Sequence, residues 1–293
     1  MNSSANLAVR PDGVGVLTLD QPGSKVNVLN RDLLQDIDAA LDEAAKQPLK
    51  GLVIASAKPG VFIAGADLKL LGDAPGPNDP AVRAFIEQGL RVLEKLESLP
   101  FPTCAAIDGA ALGGGLEVAL ACDMRILGTN PKTQLGLPEV KLGLIPGWGG
   151  TQRLPRSMRG GFSIERHLVD AAGMLASGRS VGSQEVALFE FLNEVCDSGS
   201  LLDRAADRVS TTHLIPLRME QRRQKLGVLC QVRPVTPALD VSGAAAEGIR
   251  VMIAGATLPL YEAIKLETEA FMNLAGSPES KRLIAEFFAS RKK

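Results

Sequence analysis

Apolar residues recur along the first half of the chain with a spacing that changes repeatedly from that of a strand to that of a helix. Apolar and polar residues alternate on both sides of Asp12 and Gly13, which predicts a hairpin with strands at residues 7–10 and 14–20. Further strands are predicted at residues 51–56, 61–67, 103–107, 124–127 and 133–135. Helices are predicted at residues 30–46, 80–99 and 116–122, the first with Asn30 as its N-cap.

Helical patterns dominate the second half of the chain. Helices are predicted at residues 163–174, 183–191, 201–209, 244–254, 261–273 and 278–291. Residues 216–231 are rich in Arg and Lys, and we interpret them as a solvated, poorly packed segment, with a binding patch as the alternative. Strands that alternate with helices, followed by helices alone, predict an α/β core with a helical C-terminal region.

Composition narrows the class of protein. The 293 residues are 45% hydrophobic, enough for a sizeable core in one large or two small domains. A net charge of -1 does not favour binding to nucleic acid or to a membrane surface. We find no apolar run of about 20 residues and no signal-peptide pattern, so we expect a cytoplasmic enzyme without a membrane span.

Cysteine and histidine give no sign of a metal site. The four cysteines are widely spaced and lack metal-ligand spacing, so we also expect no disulfide framework. The two histidines, His167 and His213, have no recognisable partner motif, and we interpret both as structural or exposed.

Three consecutive glycines, Gly113 to Gly115, separate a predicted strand from a predicted helix. Glycine allows unusual backbone conformations and a close approach of a ligand. The first amides of a helix lack intrahelical acceptors and lie at the positive end of its dipole, so this junction suits a negatively charged oxygen. Glu117 follows in the first turn, either as a solvated charge or as a buried catalytic acid.

Two other segments combine glycine or proline with a carboxylate. Residues 62–67 end in Gly-Ala-Asp, and residues 135–139 end in Pro-Glu before a Gly-rich stretch at 144–153. Together with Gly-Gly-Gly-Leu-Glu at 113–117, in this order and spacing, they closely resemble the enoyl-CoA hydratase/isomerase (crotonase) superfamily. The resemblance covers residues 7–155 well.

A narrower resemblance is to the hydratase part of the fatty-acid oxidation multifunctional enzyme α-subunit. It rests on residues 23–30, 56–67 and 130–133, and on the tail 256–288, which is similar to the linker helix of those enzymes. The resemblance implies a crotonase-like spiral of ββα units at residues 1–200 and a helical C-terminal region with a linker-like tail at 201–293. It also implies a trimer or a hexamer, an enoyl-CoA thioester substrate and no cofactor.

Matching the motifs residue by residue assigns roles. The amides of Ala66 and Gly114 match an oxyanion hole, and Glu117 and Glu139 match the two catalytic carboxylates of hydratases. Main-chain donors suit a thioester oxygen that gains enolate charge, and apolar neighbours raise a carboxyl pKa as acid–base chemistry requires. The remaining residues assigned to CoA or substrate binding are Ala64, Asp67, Lys69 and Gly113.

Some of these assignments leave two interpretations open. Asp67 is predicted to orient its loop as an N-cap does. Lys69 either meets the CoA phosphates or is solvated, and Trp148 either lines the acyl pocket or packs in the core.

The chain departs from the family pattern after Pro155. Residues 156–162 are interpreted as an insertion near the acyl pocket or the subunit contact, and a later family signature is only loosely present at residues 191–195. No Gly-x-Gly-x-x-Gly follows a strand, so we expect no dehydrogenase activity.

Four functions are compared. An enoyl-CoA hydratase of β-oxidation type is favoured because there are two glutamates, whereas a Δ3-Δ2-enoyl-CoA isomerase on the same scaffold can work with one. A non-catalytic RNA-binding relative has only the basic residues Arg218, Arg222, Arg223 and Lys225 in its favour. An interaction subunit would use the tail to bind a separate 3-hydroxyacyl-CoA dehydrogenase.

Overall fold

Ten strands form two sheets in the part of the chain that the computed structural model describes, residues 3–158, 163–183, 185, 191–211, 214–231, 234, 236–237 and 239–291. In chain order they are β1 Ala5–Val9, β2 Val14–Leu19, β3 Gly51–Ser56, β4 Gly60–Ile63, β5 Thr103–Ile107, β6 Gly109–Leu112, β7 Met124–Gly128, β8 Gln134–Gly136, β9 Ser180–Gly182 and β10 Glu194–Cys196. The larger sheet has the order β1-β2-β3-β5-β7-β10, and the smaller has the order β4-β6-β8-β9.

Helices follow the strands and then continue alone. They are α1 Arg31–Ala45, α2 Leu68–Gly72, α3 Pro80–Ser98, α4 Gly114–Ala121, α5 Gly150–Ser157, α6 Ile164–Ser177, α7 Leu201–Ser210, α8 Ile215–Leu226, α9 Gly243–Gly255, α10 Leu260–Leu274 and α11 Pro278–Ser290. A 3-10 helix, Pro138–Leu142, lies between β8 and α5. None of these described helices is long and apolar enough to cross a membrane.

The middle of the chain repeats one unit of two strands and a helix. The first strand of each unit, β3, β5 or β7, joins the larger sheet, and the second, β4, β6 or β8, joins the smaller one. Successive units pair in parallel in both sheets. This arrangement confirms the predicted spiral of ββα units with a helical C-terminal region.

Small residues allow the units to pack closely around α4. The helix has the sequence GGLEVALA and is buried along its whole length. A Cβ on Gly115 would lie 2.8 Å from the Cβ of Ile63 in β4, so only glycine fits where the helix crosses the strand.

The main apolar core includes residues of α9, α10 and α11, so the C-terminal helices help to bury the spiral. The division at residue 200 remains a prediction.

Most of the predicted elements are confirmed to within a few residues. Asn30 caps α1 by accepting a hydrogen bond from the amide of Leu33 at 2.9 Å. The strand predicted at 61–67 ends at Ile63, because the chain turns there towards α2. The short elements β6, β9, β10, α2 and α5 were not predicted, since each has too few residues for a period to show. Most of the helix predicted at 183–191 and most of the departure at 156–162 lie outside the described residues.

The interpretation of residues 216–231 as solvated and poorly packed is wrong for α8. Its basic residues Arg218, Arg222 and Lys225 share one face of the helix and are buried. The guanidinium of Arg222 donates to the carboxylate of Asp123 and to the carbonyl of Phe101, the latter at 2.8 Å. The ammonium of Lys225 lies 3.3 Å from Glu97 Oε1. This face of α8 packs on the core because buried acceptors there bind its cations. The charge pattern of residues 216–231 does not show those acceptors.

We expect Arg222→Met to lower the free energy of unfolding by about 3–5 kcal/mol, because it leaves the buried Asp123 carboxylate without its main cation. Arg223→Met is the matched control, since the Arg223 side chain is 80% exposed and pairs with Glu220 on the helix surface. Urea denaturation of both variants measures the difference, and equal stabilities would contradict this account of α8.

Candidate active site

A cavity of about 170 Å³ opens between the spiral and the C-terminal helices. Its walls come from the loop after β4, the start of α4, the 3-10 helix and the segment before α5, with α10 and α11 opposite. The lining residues are Ala64, Gly65, Ala66, Leu68, Leu71, Ile86, Leu112, Gly113, Gly114, Glu117, Pro138, Glu139, Lys141, Leu142, Leu144, Gly147, Trp148, Phe271, Phe287 and Arg291.

Two backbone segments bring amide groups to the wall of this cavity. Leu29 donates to the carbonyl of Gly65 at 2.9 Å and accepts from the amide of Asp67 at 3.0 Å. Because successive N–H groups of an extended segment point to opposite sides, the N–H of Ala66 points away from Leu29. Gly114 is the first residue of α4, where the amide has no acceptor within the helix.

Glycine is required where α4 begins. Gly113 has a φ of +53°, and its amide donates to the carbonyl of Gly136 at 2.9 Å. A Cβ on Gly113 would lie 2.7 Å from Oε1 of Glu139, and a Cβ on Gly114 would lie 2.5 Å from the ring of Trp148. Any side chain at either position would therefore fill the space beside the amide.

Glu117 is buried in the first turn of α4 and is held by a neighbouring loop. Its Oε1 accepts hydrogen bonds from the amides of Trp148 at 2.8 Å and Gly150 at 2.7 Å. Burial raises the pKa of the carboxyl to about 7, although these two hydrogen bonds act in the opposite direction. The alternative of a solvated charge at this position is wrong, since the residue is only 2% exposed.

Glu139 lies on the 3-10 helix and has a different environment. Its Oε2 atom is buried and has no hydrogen-bond partner among the described residues. Burial, followed by the nearby charge of Glu117, raises the pKa of Glu139 well above its ordinary value. The cavity therefore contains two carboxyl groups, one fixed by amides and one with an unpaired oxygen.

The other predicted site residues divide into three groups. Ala64 and Gly113 line the cavity. Asp67 caps α2, because its Oδ1 accepts from the amides of Lys69 at 3.0 Å and Leu70 at 3.4 Å. Lys69 is exposed and does not line the cavity, so its contact with CoA phosphates stays a prediction.

Trp148 both lines the cavity and packs, so the two interpretations of this residue do not exclude each other. Its indole N–H donates to the carbonyl of Ile86 at 3.1 Å, and its ring meets Phe85 edge-on at a centroid distance of 5.3 Å. The ring is thereby fixed against Gly114 at the wall of the cavity.

The C-terminal helices contribute residues that sequence analysis did not assign to the site. Phe271 of α10 and Phe287 of α11 line the cavity, and the guanidinium of Arg291 lies 4.2 Å from the ring centroid of Phe287. Lys141 adds a second cation to the lining. The apolar faces of α10 and α11 were a signal that both helices pack, but nothing local showed on what.

Among the described residues, no group of three or more His, Cys, Asp and Glu side chains is arranged to hold a metal ion. His167 is buried on α6 and does not line the cavity, whereas His213 lies outside the described residues.

The raised pKa of Glu117 predicts how stability changes with pH. Between about pH 5 and pH 7 the folded state keeps a proton that the unfolded state releases, so the free energy of unfolding falls as pH rises. Glu117→Gln resembles the protonated acid at every pH and lacks this loss. We expect the difference in free energy of unfolding, wild type minus variant, to fall by about 3 kcal/mol from pH 5 to pH 7. Denaturant unfolding at these two pH values measures it. Parallel curves would contradict the raised pKa.

Known proteins share this sequence pattern and this fold. The sequence profile of the enoyl-CoA hydratase/isomerase family matches residues 10–225. An enoyl-CoA hydratase/isomerase from Xanthobacter autotrophicus Py2 is 25% identical with a TM-score of 0.70, over 100% of this chain and 94% of that one. An enoyl-CoA hydratase from Bacillus anthracis is 25% identical with a TM-score of 0.61, over 99% and 97%.

Human mitochondrial delta3-delta2-enoyl-CoA isomerase shares the fold, with a TM-score of 0.74 at 20% identity over 99% of this chain and 98% of that one. Since the family profile covers most of the sequence and the fold agrees along nearly its whole length, the chain belongs to the enoyl-CoA hydratase/isomerase family.

Proposed function

We propose that the protein is an enoyl-CoA hydratase that adds water to 2-enoyl-CoA thioesters and forms 3-hydroxyacyl-CoA. Members of the family act on CoA thioesters and use no cofactor. The observation that carries the proposal is one cavity lined by two carboxyl groups, Glu117 and Glu139, beside the backbone of Ala66 and Gly114.

The two amides would bind the thioester carbonyl. When water attacks C3, electron density moves through C2 and negative charge develops on the thioester oxygen. Preorganised N–H donors stabilise such an oxyanion, and removing one typically costs about 2.7–4 kcal/mol. The positive end of α4 adds to the stabilisation at Gly114.

The two glutamates would move the protons. The water that attacks C3 must lose a proton, and C2 must gain one. Because Oε1 of Glu117 is held by two amides, Oε2 is the oxygen that we assign to the water. The raised pKa of Glu139 suits a group that is protonated before it donates.

The charged and the apolar residues of the cavity lining suggest how the substrate lies. Lys141 and Arg291 are cations of the lining, and we assign them to the phosphates of CoA together with the prediction for Lys69. Apolar residues, with Trp148 and Phe271 among them, also line the cavity, and we assign them to the acyl chain.

The direct test is loss of the enoyl-thioester absorbance band with crotonyl-CoA. We expect Glu117→Gln and Glu139→Gln each to lower kcat by about 10²–10⁴-fold, with a smaller change in KM, because each removes a proton-transfer group. Glu87→Gln, on the exposed side of α3, is the control. Wild-type rates in both site variants would refute the mechanism.

A Δ3-Δ2-enoyl-CoA isomerase is the second candidate, favoured by the unpaired Oε2 of Glu139. One carboxylate that takes a proton from C2 and returns it at C4 is sufficient for this reaction. Turnover of a 3-enoyl-CoA by Glu117→Gln, combined with loss of turnover in Glu139→Gln, would identify it.

The remaining expectations from the sequence concern RNA binding, the metabolic role and the assembly of the protein. The buried positions of Arg218, Arg222 and Lys225 remove most of the support for an RNA-binding relative. The likeness to the multifunctional α-subunit, a role in β-oxidation, a trimer or hexamer and a separate dehydrogenase partner remain proposals. The packing of α11 on α2 and the 3-10 helix supports a tail that folds back on its own core.

Trp148 is expected to restrict the acyl chain. In Trp148→Ala the ring beside Gly114 is absent, so we expect the kcat/KM for octenoyl-CoA relative to crotonyl-CoA to rise roughly tenfold. Trp148→Phe keeps most of the bulk and serves as the control. Thermal unfolding must show that both variants are folded, and an unchanged ratio in Trp148→Ala would exclude this role.

A further inference from the structure

Glu267 is a buried carboxyl group that the mechanism above does not use. It is 0% exposed on α10, on the same face as Leu260, Ile264 and Phe271. Its Oε1 accepts from the amide of Gly149 at 2.5 Å. Its Oε2 accepts from Thr151 twice, from the amide at 2.8 Å and from the hydroxyl at 2.5 Å.

Glu117 and Glu267 accept hydrogen bonds from alternate amides of residues 148–151, the turn before α5 and its first two residues. We call this segment loop 148–151. The amides of Trp148 and Gly150 donate to Glu117, and those of Gly149 and Thr151 donate to Glu267. Gly149 has a φ of +89°, a conformation that L side chains rarely adopt, and it lies in the middle of this alternation. The loop is thus held on two sides by carboxyl groups that are far apart in the sequence.

We infer that Glu267 is a positioning residue for the reaction proposed above: it fixes loop 148–151 so that two amides converge on Oε1 of Glu117. This inference rests on the proposed function. Without Glu267, the amides of Gly149 and Thr151 lose their acceptors, and the loop loses the contact that holds it opposite Glu117. Errors of about 1 Å in a catalytic group cost on the order of 10²-fold in rate.

The charges around Glu267 give a second readout. Three charged groups face this cluster: Glu117 of α4, Glu139 of the 3-10 helix and Arg153 of α5. Arg153 pairs with Glu97 and lowers the pKa of Glu117. Burial, followed by the charge of Glu117, raises the pKa of Glu267 to about 8. The charge of Glu267 in turn raises the pKa of Glu139, so a neutral amide at 267 lowers the pKa of Glu139.

The experiment measures kcat and KM for crotonyl-CoA from pH 6 to pH 10 in Glu267→Gln. We expect kcat to fall about 10²-fold, KM to stay within roughly twofold, and the pH profile of kcat to move to lower pH. A purely structural role would lower thermal stability without moving the pH profile. Glu262→Gln, on the exposed face of the same helix, should match the wild type in all three values.

A second variant covers the case in which Glu267→Gln does not fold. Thr151→Val removes the hydroxyl that donates to Glu267 and accepts from the Gln152 side chain, but keeps the backbone amide. We expect kcat to fall roughly tenfold with KM unchanged. If the wild type is active and the folded variants keep its kcat and pH profile, the inference is wrong while the proposed function stands. If the wild type itself shows no hydration of crotonyl-CoA, the proposed function fails, and this role for Glu267 fails with it.

Discussion

Buried carboxylates that bind a short stretch of backbone organise this protein. Glu97, Glu117 and Glu267 come from α3, α4 and α10, and all three contact residues 148–153. A buried charge costs several kcal/mol unless hydrogen bonds or an opposite charge compensate for it. The stretch supplies that compensation with backbone amides and the guanidinium of Arg153, so the positions of the three helices depend on the conformation of this loop.

Glu117 and Glu139 differ in their hydrogen bonding. The amides that hold Glu117 favour its charged form, whereas Oε2 of Glu139 has no hydrogen-bond partner among the described residues. A pair of acids in unequal surroundings separates into one that takes a proton and one that gives it. In the reaction that we propose, this asymmetry assigns distinct roles to two chemically identical side chains.

The sequence was sufficient for the spiral and for the residues of the cavity that lie in short motifs. Glycine at 113 and 114, with Glu117 three residues on, is a local pattern whose geometry follows from a helix start. Glu267 has no such motif. Its one signal is its spacing, three residues after Ile264 and four before Phe271, which places it on the core face of α10. This spacing indicates a buried acceptor but not the donors that bind it.

The prediction for the basic face of α8 was wrong for a similar reason, because the partners of its side chains are not visible in the local sequence. Arg218, Arg222 and Lys225 are spaced by four and three residues, as on one side of a helix, but a charged side is usually a solvated side. Asp123 and Glu97, which make burial possible, lie 99 residues from Arg222 and 128 residues from Lys225 in the chain. Long-range pairing of buried charges is thus the part of this fold that periodicity could not supply.

The alternating amides of loop 148–151 also have a consequence for synthesis of the chain on the ribosome. Thr151 and Glu267 are 116 residues apart, so at about 5–20 residues per second Glu267 emerges roughly 6–23 s after the loop that it binds. During that interval the spiral units can pair their strands while half of the loop amides have no acceptor. With the role that we infer for Glu267, the site is completed late, when α10 docks. A nascent chain that stalls before this helix lacks the carboxyl group that holds half of these amides.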